Sequence, residues 1–578
     1  MTGNNAIALA ARDSGVALGV GYPGTPSTEI LEILSTLDGG KAEWGSNEKT
    51  SLEIGIGVSF GGQRSLVTMK HVGLNVCADP LFTVSYTGVK GGLVIMVADD
   101  PGMHSSQNEQ DSRHYARAAK ITMLEPASSQ EAYDYTLKAF ELSELFDTPI
   151  FLRTTTRVSH GKSEVVTDGT PQNNCVTCRP DNKQKYVMVP AFAKGRHVAV
   201  ETRQQAIKEY IEKDDFFTKI EMNDTSVGII TNGVSYNYVK EVMPSASVLK
   251  LGMTYPLPIE KIRSFAEKVN SLYVVEELDP VIEADLKSAG INVIGKEKFP
   301  ICGEFNPDVV AKGLGLPYLE TPKDEFPQRP PSLCAGCPHR SVFTVLKKLG
   351  LTVSGDIGCY TLGVMPPLQA IDLCVCMGAS VGMAHGLLKA GVEKDKVVAV
   401  IGDSTFIHSG ITGVIDMVYN NVPSTLMILD NSITAMTGRQ ENPSTGRDIN
   451  HNPTVAVDLE ALVKAIGVKD VKIVDAYNIK EVEEKLKDSL AFDGPSVIIA
   501  KRPCMLIPHK DGVVLEVTEK CIACGNCLKV GCPAIYKVKG EKKGKEVMLP
   551  VIDRLTCRGC GLCAQVCPVN AITAVGKG

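Results

Sequence analysis

Lys396-Val397-Val398-Ala399-Val400-Ile401-Gly402-Asp403-Ser404 and, a helix length later, Thr425-Leu426-Met427-Ile428-Leu429-Asp430-Asn431 decide the fold of this chain. Each is a short apolar run that ends in polar residues, as strands buried on both faces do. The residues between them carry a helical pattern up to Asn420. Strand, helix, strand is a βαβ unit, and both of its strands end at one sheet edge, where open α/β folds bind ligands. Asp403 and Asn431 stand at that edge. Their side-chain oxygens suit Mg²⁺, which takes oxygen ligands and bridges to phosphates. Gly402 would let a phosphate approach the backbone, and the amides after Ser404 would suit its charge. A lone Gly-Asp also fits a capped strand-to-helix turn; the matching second half weighs against that reading.

The same rhythm runs through residues 6–160. Strands are expected at 17–21, 66–69, 93–98 and 149–152, with helices at 27–37, 50–61 and 129–145. That alternation predicts a doubly wound parallel sheet. Residues 161–190 read as a polar loop and 200–215 as a charged helix. A smaller α/β unit follows, with strands at 227–231, 247–251, 271–276 and 291–294. Pro317, Pro322, Pro327, Pro330 and Pro331 mark a linker. The expected domains are 1–160, a connector at 161–225, 226–316, 332–505 and 511–578.

The last of these is a cysteine module. Cys521, Cys524 and Cys527 run on to Cys532-Pro533, and Cys557, Cys560 and Cys563 to Cys567-Pro568. This is the two-cluster bacterial ferredoxin spacing, in which each remote Cys serves the other [4Fe–4S] cube. The expected sets are Cys521, Cys524, Cys527, Cys567 and Cys557, Cys560, Cys563, Cys532. The first run departs from the pattern: four residues separate Cys527 from Cys532, against three in the second. A zinc site would pair two separated C-x2-C knuckles instead. The fold class is therefore α/β for the three larger domains, with an α+β two-cluster ferredoxin domain after them.

The 578 residues are 44 % hydrophobic and 22 % charged, with a formal net charge of −6, which is ordinary for a globular protein. There is no long basic run, so nucleic acid is not an expected partner. Neither a positive signal-peptide start nor an apolar run of membrane length occurs, so a cytoplasmic location without membrane insertion is expected. Eighteen Cys in such a chain argue for metal ligation in a reducing compartment.

The opening βαβ unit resembles the thiamine diphosphate motif GDG…NN, with Ser404 at its third position and Asp430 in place of the first Asn. The stretch Ile433-Thr434-Ala435-Met436-Thr437-Gly438-Arg439-Gln440 resembles the TAMTG-Q segment that follows it. The resemblance implies Mg²⁺ on Asp403, the amide oxygen of Asn431 and the carbonyl of Ile433. It places Gly402, Ser404, Thr434 and Met436 at the cofactor. It also implies a second thiamine-type domain, which 1–160 would supply. There Glu48, in Ser46-Asn47-Glu48-Lys49, would face the pyrimidine N1′ and favour the imino tautomer; Glu53 is the competing candidate, and a first-turn helix Glu the plain alternative.

Thiamine and ferredoxin features in one chain resemble the 2-oxoacid:ferredoxin oxidoreductase family. Tyr22-Pro23-Gly24-Thr25-Pro26-Ser27 is similar to its YPITPS loop, which puts Thr25 near the substrate. The domain order, with a transketolase-C-like unit in the middle, is similar to the α subunits of its indolepyruvate branch. That implies oxidative decarboxylation of arylpyruvates with coenzyme A, ferredoxin as acceptor, a smaller β subunit carrying the γ-type domain, and an α₂β₂ assembly. Branched-chain 2-oxo acids, pyruvate and a non-redox decarboxylase are the alternatives. Cys334-Ala335-Gly336-Cys337-Pro338-His339 resembles the family's CPGCGH element and Cys359 its SGIGC element. With Cys504 they imply a third [4Fe–4S] cluster.

Other features carry less. His71, at a strand end, is a candidate for the substrate carboxylate or thiamine, and His339 for the diphosphate or substrate. Arg113 reads as part of a solvated face, with pairing to a carboxylate as the alternative. Cys77, Cys302, Cys374 and Cys376 read as core thiols, Cys175 and Cys178 as half a metal site without its other half. The Gly-rich residues 377–384 suit either helix packing or diphosphate approach.

Overall fold

The computed structural model describes residues 1–167, 176–319, 330–507, 512–542 and 544–575. Pro322 and Pro327 of the expected linker and Cys175 lie outside them. The chain forms two compact units, Met1–Asp324 and Glu325–Gly578.

The first unit is built on a seven-stranded sheet in the order Met253–Tyr255, Thr122–Leu124, Ile150–Thr155, Leu93–Asp99, Ser65–Lys70, Leu18–Gly21, Ala42–Trp44. All neighbours are parallel except the first pair. Every residue of Ser65–Lys70 and Leu93–Asp99 is buried, which is why these strands read as near-continuous apolar runs. The helices start where side chains satisfy the first free amides. Asn47 accepts from the Thr50 amide at 2.8 Å. Ser128 accepts from the Glu131 amide at 3.2 Å, while Glu131 accepts from the Ala127 amide at 3.0 Å. Losing such a cap costs about 1 kcal/mol.

A second sheet orders Ser271–Val275, Asp224–Asn232, Ala246–Leu251 and Thr218–Glu221, the last antiparallel. The strand expected at 291–294 is only an isolated bridge between Tyr273 and Ile294. The expected helix begins earlier, as Pro190–Ile211, with proline in its first turn where no amide is needed. Met253–Tyr255 leaves this smaller sheet to extend the larger one. A buried polar network joins the two. Arg153 donates to Asp99 at 2.7 Å and to Glu125 at 2.6 Å, and Glu125 accepts from Asn232 and Thr254 as well. Removing Arg153 would strand these carboxylates, at a cost of about 3–5 kcal/mol.

The second unit carries a five-stranded parallel sheet: Thr352–Ser354, Val397–Gly402, Thr425–Asp430, Ser496–Lys501, Asp470–Asp475. The helix expected after Gly402 is broken into Asp403–Thr405, a π turn at Phe406–Gly410, and Ile411–Tyr419. Such wide turns gather at functional sites. The cysteine-rich tail pairs Leu515–Val517 with Ile572–Ala574, and Ile535–Lys542 with Lys545–Ile552, both antiparallel. Among the described residues no helix is long and apolar enough to cross a membrane.

Candidate active site and thiol clusters

In the second unit the register Gly402↔Leu429 brings Asp403 and Asp430-Asn431 out side by side. All three are buried. Asp403 receives the Ser444 hydroxyl at 3.4 Å, and burial, then Asp430, pushes its carboxyl up to about 7. A buried carboxylate next to another asks for a cation. The donors present, one carboxylate, the Asn431 amide and the Ile433 carbonyl, are oxygen ligands of the kind that would suit Mg²⁺. Thr434 donates to Ser404 at 2.8 Å, so the TAMTG-like segment closes on the Asp403 turn. Ile433 is buried and Met436 is half exposed. Gly402 differs from expectation. A side chain there would meet the Tyr360 ring at 2.7 Å, so ring packing accounts for this glycine. At residues 377–384, Gly378 is likewise required by Ser409, and the amides of Gly378 and Ser380 are taken by buried Asp356, at 2.8 and 3.0 Å.

Directly beside this edge, Cys334, Cys337, Cys359 and Cys504 line one cavity with His339 and Asn431. The Cys504 amide donates to the Asn431 carbonyl at 2.9 Å. Burial pushes the Cys337 thiol up to about 12 and the Cys359 thiol to about 11, and coordination to a metal would favour their thiolates. His339 begins the helix His339–Leu349, is buried, and is pulled down to about 4 by that burial. It is a neutral ring set edge-on to Tyr360, with centroids 5.9 Å apart.

In the tail, Cys521, Cys524, Cys527 and Cys567 line a second cavity. Cys532, Cys557 and Cys560 are the thiols that act electrostatically on Cys563 most strongly. The structure thus brings together the two crosswise sets. Each C-x2-C-x2-C loop needs left-handed backbone at matching places, Ala523 and Gly525 in one, Gly559 and Gly561 in the other. The amides of Ala523 and Ala571 point at Cys521 and Cys567 sulfurs at 3.4 and 3.2 Å. The extra residue before Cys532 is absorbed by Gly531, at φ +73°. Among the described residues no three His, Cys, Asp or Glu side chains close on a single-ion point. A cube instead spreads its four thiolates over separate iron corners.

The first unit holds a separate cluster at the C-terminal edge of its sheet. Glu48 opens the helix Glu48–Phe60 and is 4 % exposed. Its carboxyl packs on Gly73, where any side chain would lie 2.5 Å from it. Glu53, the competing candidate, is by contrast exposed and ion-paired with exposed Lys49. His71 is fully buried, with Nε2 3.1 Å from the Asn108 amide oxygen. Thr25 is half-buried, and its carbonyl accepts from the Ser105 hydroxyl at 3.3 Å.

Lys70 was not singled out by sequence, yet it stands among these groups. It is 7 % exposed and donates to the Ser105 carbonyl at 2.7 Å and its hydroxyl at 2.9 Å. Burial lowers it to about 8, against the pull of Asp100 at 4.0 Å. The signal was a charged residue ending an otherwise apolar strand.

Several expectations fail. Arg113 is not on a solvated face. It is 1 % exposed and held by Asp111 at 2.6 Å, by Glu276 and by the Glu277 carbonyl at 2.8 Å, because the second sheet covers its helix. Cys302, Cys374 and Cys376 are exposed, lying in irregular segments outside the packed strands. Cys77 is buried and Cys178 half-buried.

Comparison with known proteins agrees with this geometry. Residues 10–215 match the family model "Pyruvate flavodoxin/ferredoxin oxidoreductase, thiamine diP-bdg". Residues 356–500 match "Thiamine pyrophosphate enzyme, C-terminal TPP binding domain", and 520–571 the "4Fe-4S dicluster domain". An indolepyruvate oxidoreductase subunit IorA of Pyrococcus abyssi is 40 % identical, over 100 % of this chain and 97 % of its own. Its counterpart in Archaeoglobus fulgidus is 39 % identical, over 99 % of this chain and 97 % of its own. That of Methanothermobacter thermautotrophicus is 39 % identical, over 100 % and 97 %. At this identity over its whole length, the chain belongs to the IorA family of thiamine diphosphate-dependent 2-oxoacid:ferredoxin oxidoreductases.

Proposed function

We propose that this chain is the catalytic α subunit of a cytoplasmic enzyme that oxidises arylpyruvates, indolepyruvate first among them. A 2-oxo acid carboxylate and coenzyme A give the aryl-acetyl thioester, CO₂, one proton and two electrons. Two ferredoxins take the electrons. A smaller β subunit carries the γ-type domain in an α₂β₂ assembly. Bound thiamine diphosphate supplies carbanion chemistry at the 2-oxo carbon, and iron–sulfur cubes take electrons singly.

The chain's own residues divide this work. Asp403, Asn431 and the Ile433 carbonyl hold Mg²⁺, while Ser404 and Thr434 line the diphosphate. Glu48 holds a proton against the pyrimidine. Lys70, beside Thr25 at the sheet edge, receives the substrate carboxylate, and His71 orders Asn108 beside it. His339 remains neutral between Asn431 and Tyr360. Three [4Fe–4S] clusters sit on the three cysteine sets.

One juxtaposition carries this reading: the Cys504 amide bonded to the Asn431 carbonyl, which puts a thiol quartet against the Mg²⁺ edge. A decarboxylase without redox chemistry has no use for an electron acceptor there. The test is anaerobic viologen reduction by the chain co-expressed with its β partner, over a panel of 2-oxo acids, with and without coenzyme A. Coenzyme A-dependent reduction fastest with indolepyruvate is expected, with about twelve irons per chain. Coenzyme A-independent CO₂ release, or about eight irons, would overturn the corresponding part.

A further inference from the structure

Arg340 is 2 % exposed, and among the described residues its guanidinium bonds are to backbone carbonyls. It donates to Leu333, to Cys334 at 3.1 Å, to Val530 at 3.2 Å and to Gly531 at 2.5 Å. Two of these carbonyls belong to the loop that begins the Cys334 set. The other two belong to the stretch that leads into Cys532 of the tail. No carboxylate lies among its described partners. Cys337, Cys532, Cys334 and Cys560, thiols of two different sets, lie near enough to act on it electrostatically.

A buried guanidinium stays charged and is costly without a counter-anion. Carbonyl dipoles offset part of that cost, but among the described residues no acid is bonded to it. A cube with four thiolates is a net anion and gains negative charge on reduction. Two such cubes, one on each side, would supply the missing counter-charge.

The irregular cysteine spacing has its explanation here. The residue added between Cys527 and Cys532 lets Gly531 turn left-handed, and both Val530 and Gly531 present their carbonyls to Arg340. A side chain at Gly531 would lie 3.1 Å from the guanidinium. The same face is fixed at two more points. The Tyr477 hydroxyl donates to the Gly336 carbonyl at 2.6 Å, and Gln565 of the tail donates to the Tyr477 carbonyl at 2.7 Å.

We propose that Arg340 is a positioning and potential-setting residue between the Cys334/Cys337/Cys359/Cys504 cluster and the Cys532/Cys557/Cys560/Cys563 cluster. It pins the two loops at a fixed separation, and its single positive charge stabilises the reduced form of both. It raises their midpoint potentials together, so both become better acceptors while the step between them is left unchanged. The Cys521 set gives no bond to Arg340 among the described residues and is expected to keep its own potential. This inference rests on the three-cluster reading above.

The experiment is an EPR-monitored redox titration of the purified α–β complex, with iron determined on each sample. In Arg340→Gln, two of the three midpoints should fall by at least a tenfold loss in the reduced-to-oxidised ratio, which is ~59 mV for one electron. The third midpoint should not move. Arg340→Lys keeps the charge and should keep all three midpoints within a twofold ratio, while turnover with ferredoxin slows. Unmoved midpoints in Arg340→Gln at full iron, or equal shifts in both variants, would overturn the proposal. The unaltered enzyme gives an independent check. Fully reduced, it should show spin–spin broadening between two clusters, and its absence at about twelve irons would also overturn the proposal. About eight irons in the unaltered enzyme would instead sink the three-cluster reading.

Discussion

Gly73→Ala adds one methyl group to the helix His71–Val76. The backbone gives no reason for glycine there, because Gly73 is not among the residues with positive φ. In a helix the change alone would stabilise by about 1 kcal/mol. The obstacle is Glu48. The added carbon would lie 2.5 Å from its Cγ and Oε1 and 2.7 Å from its Cδ, well inside contact distance. These atoms are the end of a side chain, so the clash is relieved by swinging the carboxyl aside, not by unfolding. Overpacking of this kind costs about 1–3 kcal/mol, which the helix gain partly offsets. Stability should therefore fall by at most about 2 kcal/mol. Turnover should respond far more, because a misplacement of about 1 Å at a reacting group costs about 10²-fold. The assay is viologen reduction at saturating substrate and thiamine diphosphate, beside a thermal melt and calorimetric titration of the cofactor. Glu48→Gln is the companion: near-normal cofactor binding with collapsed turnover. If Gly73→Ala turns over at the unaltered rate while its melt confirms a folded protein, Glu48 does not hold the pyrimidine proton and is an ordinary first-turn residue.

Three further outcomes are expected. Lys70 is charged below its value of about 8 and neutral above it, so kcat/KM for the 2-oxo acid should fall tenfold per pH unit above about 8. Lys70→Met should raise KM at pH 7 and remove that limb, and an unchanged profile would clear Lys70 of the role. Asp403→Ala should abolish Mg²⁺-dependent binding of thiamine diphosphate by calorimetry; binding that persists would refute the ligand assignment. Cys504→Ala should lower iron from about twelve to about eight per chain and leave both tail clusters visible by EPR, whereas unchanged iron would move the third cluster elsewhere.

The chemistry legible in the sequence is the chemistry that one short segment encodes. Three tail cysteines of each set fall within one loop and the remote fourth follows from the repeated two-cluster spacing, and the left-handed positions of each loop are held by Gly or by Ala523. Asp403 and Asn431 are legible because a βαβ unit must deliver both strand ends to one edge, and the observed register does so. Sites assembled from several loops are not legible. Lys70, Asp100, Ser105 and Thr25 meet only because three segments end at the same sheet edge. Arg113 misled for the same reason. Its helix pattern is polar, and only the covering second sheet turns an apparent surface charge into a buried ion pair.

The departures from pattern are where sequence and structure inform each other most. Ser404 stands where the motif has glycine, and its hydroxyl accepts from Thr434, so the turn gains a tie to the segment that follows Asn431. Asp430 stands where the motif has asparagine. It accepts from the Ser432 amide and hydroxyl at 3.0 and 3.1 Å, fixing the bend between Asn431 and Ile433. It also adds negative charge beside Asp403, which raises the demand for a cation at that point. The long Cys527–Cys532 spacing gives Arg340 two more carbonyls. Each irregularity thus does local work of its own around the same core chemistry. Restoring the common pattern at any of them, Ser404→Gly, Asp430→Asn or deletion of Gly531, should therefore weaken the site and not improve it.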